Sequence, residues 1–113
     1  MPVNFALCST SYLRMIGIHI QDEAGRTVAE FEDGQIAHVL VAVASPETKC
    51  LQFIDPYGDT TFNGRQAEVL AGEIEVAALS LPEAAERERA LALAGFARRV
   101  AGELHTYLKF IGD

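Results

Sequence analysis

The spacing of hydrophobic residues changes along this chain, and the order of the changes limits the folds that it can adopt. Between residues 12 and 32 apolar side chains alternate with polar ones, as they do in β-strands. From about residue 65 to residue 104 they recur at helical intervals, as in amphipathic helices. A further strand-like segment, residues 107–111, follows. Strands first, helices next and a final strand are typical of the α+β class.

The first two strands are predicted to form a β-hairpin. Residues 12–20 make the first strand, with alternate isoleucines on one face. Residues 22–25 make the turn, in which Gly25 can adopt a positive φ. Residues 27–32 make the second strand, which places its glutamates on the face opposite Ala29 and Phe31.

The segment 36–44 can be interpreted in two ways. Its β-branched residues favour a buried strand, and that is the interpretation we prefer. Asp33 as an N-cap, followed by Ile36, Leu40 and Val43 on one face, allows a short helix instead. A short strand is predicted at residues 50–55.

Two capping signals predict the helices. Asn63 with Gln66 resembles a capping box for a helix over about residues 65–78. Ser80 with Glu83 predicts a second box, for a helix over about residues 81–104.

The expected fold is therefore one α+β domain spanning residues 1–113, with residues 1–11 as a loosely held arm. Its antiparallel sheet has four or five strands, and two helices pack on one face. The last strand returns to the sheet after the helices.

The charge balance limits the classes of partner. The chain has 113 residues, with 16 acidic and 9 basic side chains, and its formal net charge is −7. A nucleic-acid partner is not expected, because phosphate contacts need clustered Lys and Arg. A membrane partner is not expected either, because anionic lipids repel an acidic surface and no apolar run approaches the length of a span.

The cysteines and the N-terminal sequence bear on localisation. Cys8 and Cys50 form no CxxC pair, and the first residues have neither a basic region nor a long apolar core. We therefore expect a cytoplasmic protein with reduced, structural thiols.

The loop between residues 55 and 63 is the best candidate for a site, because it follows a predicted strand and precedes a helix N-terminus. Asp55 would be a base or a metal ligand, Asp59 its partner, and Tyr57 a proton donor or a stacking platform. Thr60 and Asn63 would add hydrogen-bonding groups to a binding site. The same residues also suit an ordinary turn followed by a helix cap, so the structural interpretation stays open.

Other chemistry has weaker support in the sequence. Lys109 or His105 could approach the loop if the final strand lies beside it. The histidines, which also include His19 and His38, have no metal-binding spacing, so no metal site and no cofactor are predicted. Neither a GxSxG elbow nor a glycine-rich phosphate loop is present in the sequence.

Two short segments, CLQFIDPYGDTTFN and YLKFIGD, resemble a set of small bacterial proteins of similar length to which no activity is assigned. The resemblance implies that residues 55–60 are a hallmark of that set, as a fold element or as a site. An origin in a mobile element, such as an integron gene cassette, is a separate hypothesis.

Three hypotheses about function follow. The first is a non-enzymatic binding or adaptor protein, immunity-like or regulatory, that engages a basic partner. Its acidic patch would lie on the hairpin and comprise Asp22, Glu23, Glu30, Glu32 and Asp33.

The second hypothesis is a small enzyme or a ligand- or metal-binding domain that uses the loop 55–63. The third, compatible with both, is a homo-oligomer, most simply a dimer, because half of the residues are hydrophobic.

Overall fold

The computed structural model of this protein describes residues 16–112. The arm predicted for residues 1–11, the thiol of Cys8 and the first part of the first predicted strand, residues 12–15, lie outside the described residues.

Strands and helices alternate irregularly along the described chain. In order they are β1 (Gly17–Asp22), β2 (Thr27–Phe31), α1 (Gly34–Ala42), a 3₁₀ turn (Leu51–Phe53), β3 (Asp59–Phe62), α2 (Gly64–Ala78), α3 (Ala84–Ala101) and β4 (Thr106–Ile111). The expected α+β class is confirmed, and residues 16–112 form three α-helices where the sequence predicted two.

The four strands of the described chain form one sheet in the order β2-β1-β4-β3, and every neighbouring pair is antiparallel. β4 therefore lies between β1 and β3. Leu108 of β4 is opposite Ile20 of β1 and also opposite Phe62 of β3. The prediction that the last strand returns to the sheet is confirmed, and the strand is inserted at the centre.

The core lies between the helices and one face of this sheet. Ile18, Ile20, Leu108 and Phe110 on that face are at most 1% exposed. They pack with the buried helix residues Ile36, Ala37, Leu40, Ala67, Leu70, Ala71, Ile74, Leu93, Ala94, Ala97 and Val100. The other sheet face carries Gly17, His19 and Gln21, which are only partly buried.

The predicted hairpin is confirmed, with its turn held by a carboxylate. Asp22 accepts hydrogen bonds from the backbone N–H groups of Ala24 and Arg26, each at 2.9 Å. Gly25 has a φ of 83°, a conformation that suits glycine. An irregularity in the register between Ile20 and Gln21 marks a bulge next to this turn.

The preference for a strand at residues 36–44 was wrong, because the segment forms α1. Asp33 caps the helix by accepting a hydrogen bond from the Ile36 N–H at 3.2 Å. Ile36, Ala37 and Leu40 then lie on one buried stripe. Packing of this stripe outweighs the β propensity of the segment, a weak and context-dependent preference.

The strand predicted at residues 50–55 is also wrong. A 3₁₀ turn occupies Leu51–Phe53, and a distant side chain holds its start. The Glu73 carboxylate accepts hydrogen bonds from the N–H groups of Cys50 and Leu51, both at 3.0 Å, and also from that of Lys49. These amides therefore have a carboxylate partner in place of a neighbouring strand.

One of the two predicted capping boxes forms. Asn63 and Gln66 exchange side chain-to-backbone hydrogen bonds of 2.9 Å at the start of α2. The second box does not form, because the Ser80 hydroxyl donates to the Ala77 carbonyl at the end of α2. The last helix is accordingly shorter than predicted, beginning at Ala84 after an N-cap residue, Glu83, whose side chain makes no capping hydrogen bond.

An ion pair joins the start of α1 to α3. The Arg89 guanidinium donates through Nη2 to Asp33 Oδ1 at 2.8 Å and through Nε to the second oxygen. The hydrogen bond from Arg89 lowers the pKa of Asp33, although partial burial opposes the shift. One carboxylate thus caps a helix and connects two helices.

Removing the Arg89 guanidinium should destabilise the fold in a pH-dependent way. Because the folded pKa of Asp33 lies below its unfolded value, the pair stabilises the protein above about pH 4 and loses this effect as the pH falls through the folded pKa. Arg89→Met should reduce the free energy of unfolding by about 1 kcal/mol near pH 7, a modest value because the pair is partly exposed. Urea unfolding between pH 7 and pH 2 measures the difference, which should shrink in acid.

Arg65→Met, which removes an exposed arginine of α2, is the matched control. Its free energy of unfolding should differ little from that of the unaltered protein at every pH. If Arg89→Met lowered the free energy of unfolding by the same amount at every pH, the role assigned to the ion pair would be contradicted.

Candidate functional site

The loop predicted as a site is held largely by its own polar groups. The Asp55 carboxylate accepts a hydrogen bond from the Tyr57 N–H at 2.8 Å, and the Asp55 N–H donates to the Thr60 hydroxyl at 3.0 Å. Asn63 caps α2. Four of the nine residues of the predicted loop form β3, because β4 provides a neighbour for residues 59–62.

The loop packs against the segment that follows β4. The Gly112 N–H donates to the Gly58 carbonyl at 2.8 Å. A Cβ at Gly112 would lie only 2.4 Å from the Gly58 nitrogen, so a side chain there would displace the loop. The two segments that carry the resemblance to small bacterial proteins therefore contact each other, which gives both a structural role.

Lys109 approaches the loop, but His105 does not. The Lys109 ammonium lies 3.5 Å from Asp59 Oδ2. His105 lies beyond α3, with its Nδ1 2.7 Å from the Glu23 carboxylate of the hairpin turn. It has a φ of 62°, a left-handed conformation that is uncommon outside glycine but enriched for histidine.

Two aromatic side chains are exposed on this part of the molecule. Phe53, in the 3₁₀ turn, is 64% exposed, and Tyr57, in the loop, is 67% exposed. Large exposed aromatic residues are common anchors in protein interfaces. They give the loop a surface that can contact a partner or a ligand.

The sheet register assembles a polar row that the sequence analysis missed. Thr61, Lys109, His19 and Glu30 are successive cross-strand neighbours on the open face. His19 Nδ1 lies 3.0 Å from the Thr27 hydroxyl, and its Nε2 lies 3.8 Å from the Glu30 carboxylate. The alternation of polar and apolar residues in each strand indicates which side chains lie on the open face. Which of them are neighbours depends on the order of the strands in the sheet.

The geometry gives little support to a metal centre or a reactive thiol. Within residues 16–112, no group of three or more His, Cys, Asp or Glu side chains is arranged to hold a metal ion. Cys50 is 6% exposed, and its thiol donates to the Gln66 carbonyl at 3.6 Å. Burial raises its pKa, as does the charge of Glu73, so this thiol resists ionisation.

Only part of the predicted acidic patch is available to a partner. Asp22 holds the hairpin turn, Asp33 is paired with Arg89, and Glu23 contacts His105. Glu30 and Glu32 are exposed. They line a cleft of about 330 Å³ whose other lining residues are Ile16, Gly17, Ile18, His19, Phe31 and Gly34.

Two larger clefts lie near α2. One, of about 550 Å³, separates the start of α2 from the end of α3 and includes Arg65, His105 and Tyr107. The other, of about 530 Å³, is mainly apolar and includes Val69 and Val76. Asp55 does not line any of the three clefts described for residues 16–112, which weakens the case for catalysis at its carboxylate.

No protein family, curated protein or solved structure is significantly similar to this chain. The resemblance of the two short segments to small bacterial proteins therefore stays a prediction. Among residues 16–112, no helix is both long enough and apolar enough to cross a membrane.

The hydrogen bond inside the loop can be tested by paired substitutions at Asp55. Asp55→Ala removes the acceptor for the Tyr57 N–H and should lower the free energy of unfolding by about 1 kcal/mol. Asp55→Asn keeps an acceptor oxygen in the same place and should cost less than about 0.5 kcal/mol. Urea unfolding of both variants measures the difference. Equal losses would show that the negative charge, and not the hydrogen bond, holds the turn.

Proposed function

We propose that this protein is a non-enzymatic binding or adaptor protein, immunity-like or regulatory, that engages a basic segment of a partner protein. The cleft between Glu30 and Glu32 carries the proposal. Both carboxylates are exposed, and the cleft that they line extends over Gly17, which has no side chain to fill it. A lysine or arginine of the partner fits this arrangement, because it can contact both carboxylates.

The position of the cleft supports recognition of an extended segment. In the described part of the chain, β2 lies at one edge of the sheet. Its outer backbone groups can pair with an added strand, and the glutamates then select basic side chains on that strand. The net charge of −7 favours encounter with a basic partner at low salt.

Charge reversal tests this proposal. The probe is a fluorescent peptide of alternating lysine and threonine, titrated by anisotropy at low and high salt. Glu30→Lys combined with Glu32→Lys should weaken binding about tenfold at low salt, which corresponds to about 1.4 kcal/mol. The loss should be smaller at high salt, where the charges are screened.

Glu88→Lys combined with Glu103→Lys is the matched control. It changes the net charge equally, at exposed positions on α3 and just after it. The control variant should bind the peptide several fold more tightly than the hairpin variant does. If both variants lose the same affinity for the peptide, binding depends on net charge alone, which would contradict a site at the hairpin.

A ligand- or metal-binding site at the loop 55–63 is the second candidate. The observation in its favour is that Lys109 lies beside Asp59, in a segment that also exposes Tyr57. An anionic metabolite could contact the Lys109 ammonium, and a cation could contact the carboxylates.

A thermal-shift screen against divalent metals, nucleotides and common metabolites separates the two candidates. It should be run on the unaltered protein and on a variant that combines Asp55→Asn with Asp59→Asn. If the loop is a site, one ligand raises the melting temperature and the variant loses that shift. If the loop is structural, no ligand shifts either protein.

The proposal also includes a cytoplasmic location, assembly as a homodimer, and function without nucleic acid, membrane or cofactor. Assembly is supported by the apolar residues exposed on α2, where Val76 is 69% exposed. Oligomers commonly bury such surfaces.

A further inference from the structure

Helix α2 is apolar on two sides. One side faces the core and comprises Ala67, Leu70, Ala71, Ile74 and Ala78. The opposite side carries Val69, Gly72 and Val76, followed by Leu79 at the C-cap. Val69 is 42% exposed, Val76 69% and Leu79 80%. Helices at the surface of a globular protein normally present polar residues on the side away from the core.

These four residues form one continuous stripe, which we call the outer stripe of α2 (Val69, Gly72, Val76 and Leu79). Their spacings of three, four and three residues are those of a helix-packing seam. The apolar cleft of about 530 Å³ runs beside the stripe. Val43, at the end of α1 and 48% exposed, lines its other side.

The glutamates of α2 that border the stripe are held within the chain. Glu73 accepts backbone hydrogen bonds from residues 49–51. Glu75 accepts a hydrogen bond from Arg98 at 3.0 Å, and Glu68 lies 3.9 Å from the same guanidinium. Two chains that each carry a charge of −7 repel each other, and contacts within the chain that occupy the α2 carboxylates reduce this repulsion at the stripe.

No packing contact within residues 16–112 requires a glycine at position 72. A Cβ there would meet no atom of these residues within 4 Å, yet glycine inside a helix is less stable than alanine by about 0.5–1 kcal/mol. A close approach of another backbone gives such a glycine a role.

We propose that a second copy of this chain covers the outer stripe, with the two α2 helices packed antiparallel about a twofold axis near Gly72. A twofold contact needs both protruding and recessed parts on one surface. Val76 and Leu79 protrude here, while Gly72 and the adjoining cleft are recessed. The antiparallel arrangement sets Val69 near the partner subunit's Val76.

This inference rests on the homodimer included in the proposed function and names its interface. Light scattering after size-exclusion chromatography should give twice the chain mass at micromolar concentration. Val76→Lys should halve that mass, because it buries two unpaired ammonium groups in the contact. Leu91→Lys is the matched control: it changes an apolar residue, 49% exposed on α3, and should leave the dimer intact. Circular dichroism confirms that each variant folds.

A cross-link tests the axis independently. In a Cys8→Ser background, Gly72→Cys should give a disulfide-linked dimer on mild oxidation, whereas Gly95→Cys, at an open glycine of α3, should not. A monomeric unaltered protein would overturn both the dimer and this interface. A dimer that survives Val76→Lys and does not cross-link through residue 72 would overturn the interface alone. Neither outcome bears on the hairpin site, since peptide binding at Glu30 and Glu32 is measured separately.

Discussion

The pairing of β4 with two neighbours is the interaction on which the rest of the structure depends. β4 lies between β1 and β3, so its backbone hydrogen bonds join the hairpin to the segment that leads into α2. Leu108 and Phe110, both fully buried, stand at the centre of the sheet face that the helices cover. Without β4, the short and polar β3 would have no strand beside it in this sheet.

Four carboxylates of this acidic protein act as acceptors for backbone N–H groups at turns and helix starts. Asp22 closes the hairpin turn, Asp33 caps α1, Asp55 orders the loop, and Glu73 receives three N–H groups at the 3₁₀ turn. Side-chain hydrogen bonds to otherwise unpaired amides are worth about 1 kcal/mol each. Within the predicted acidic patch of the hairpin, Asp22 and Asp33 have such structural contacts, whereas Glu30 and Glu32 are exposed.

Local signals in the sequence were sufficient for two features whose stabilising contacts are also local. The hairpin turn at Gly25 and the capping box at Asn63 join residues only a few positions apart, and both were predicted correctly. The second box failed because Ser80 donates back to α2, a choice that depends on where α2 ends.

Predictions failed where the decisive partner is distant in the chain. The turn at Leu51 is fixed by Glu73, and β3 is a strand only because β4 lies beside it. For the candidate site, the sequence identified the loop and anticipated the approach of Lys109. It did not predict the polar row through His19, because that row requires the strand order.

The central position of β4 has a consequence for synthesis of the protein. One edge of β1 is paired with β2 early, but its other edge must wait until α1, α2 and α3 have been translated. Translation adds about 5–20 residues per second, so that edge stays unpaired on the ribosome for several seconds. The isoleucines of β1 are then exposed beside unpaired amides, a combination that favours aggregation. Yield in the cell should therefore depend on chaperone supply and translation speed as much as on the stability of the finished fold.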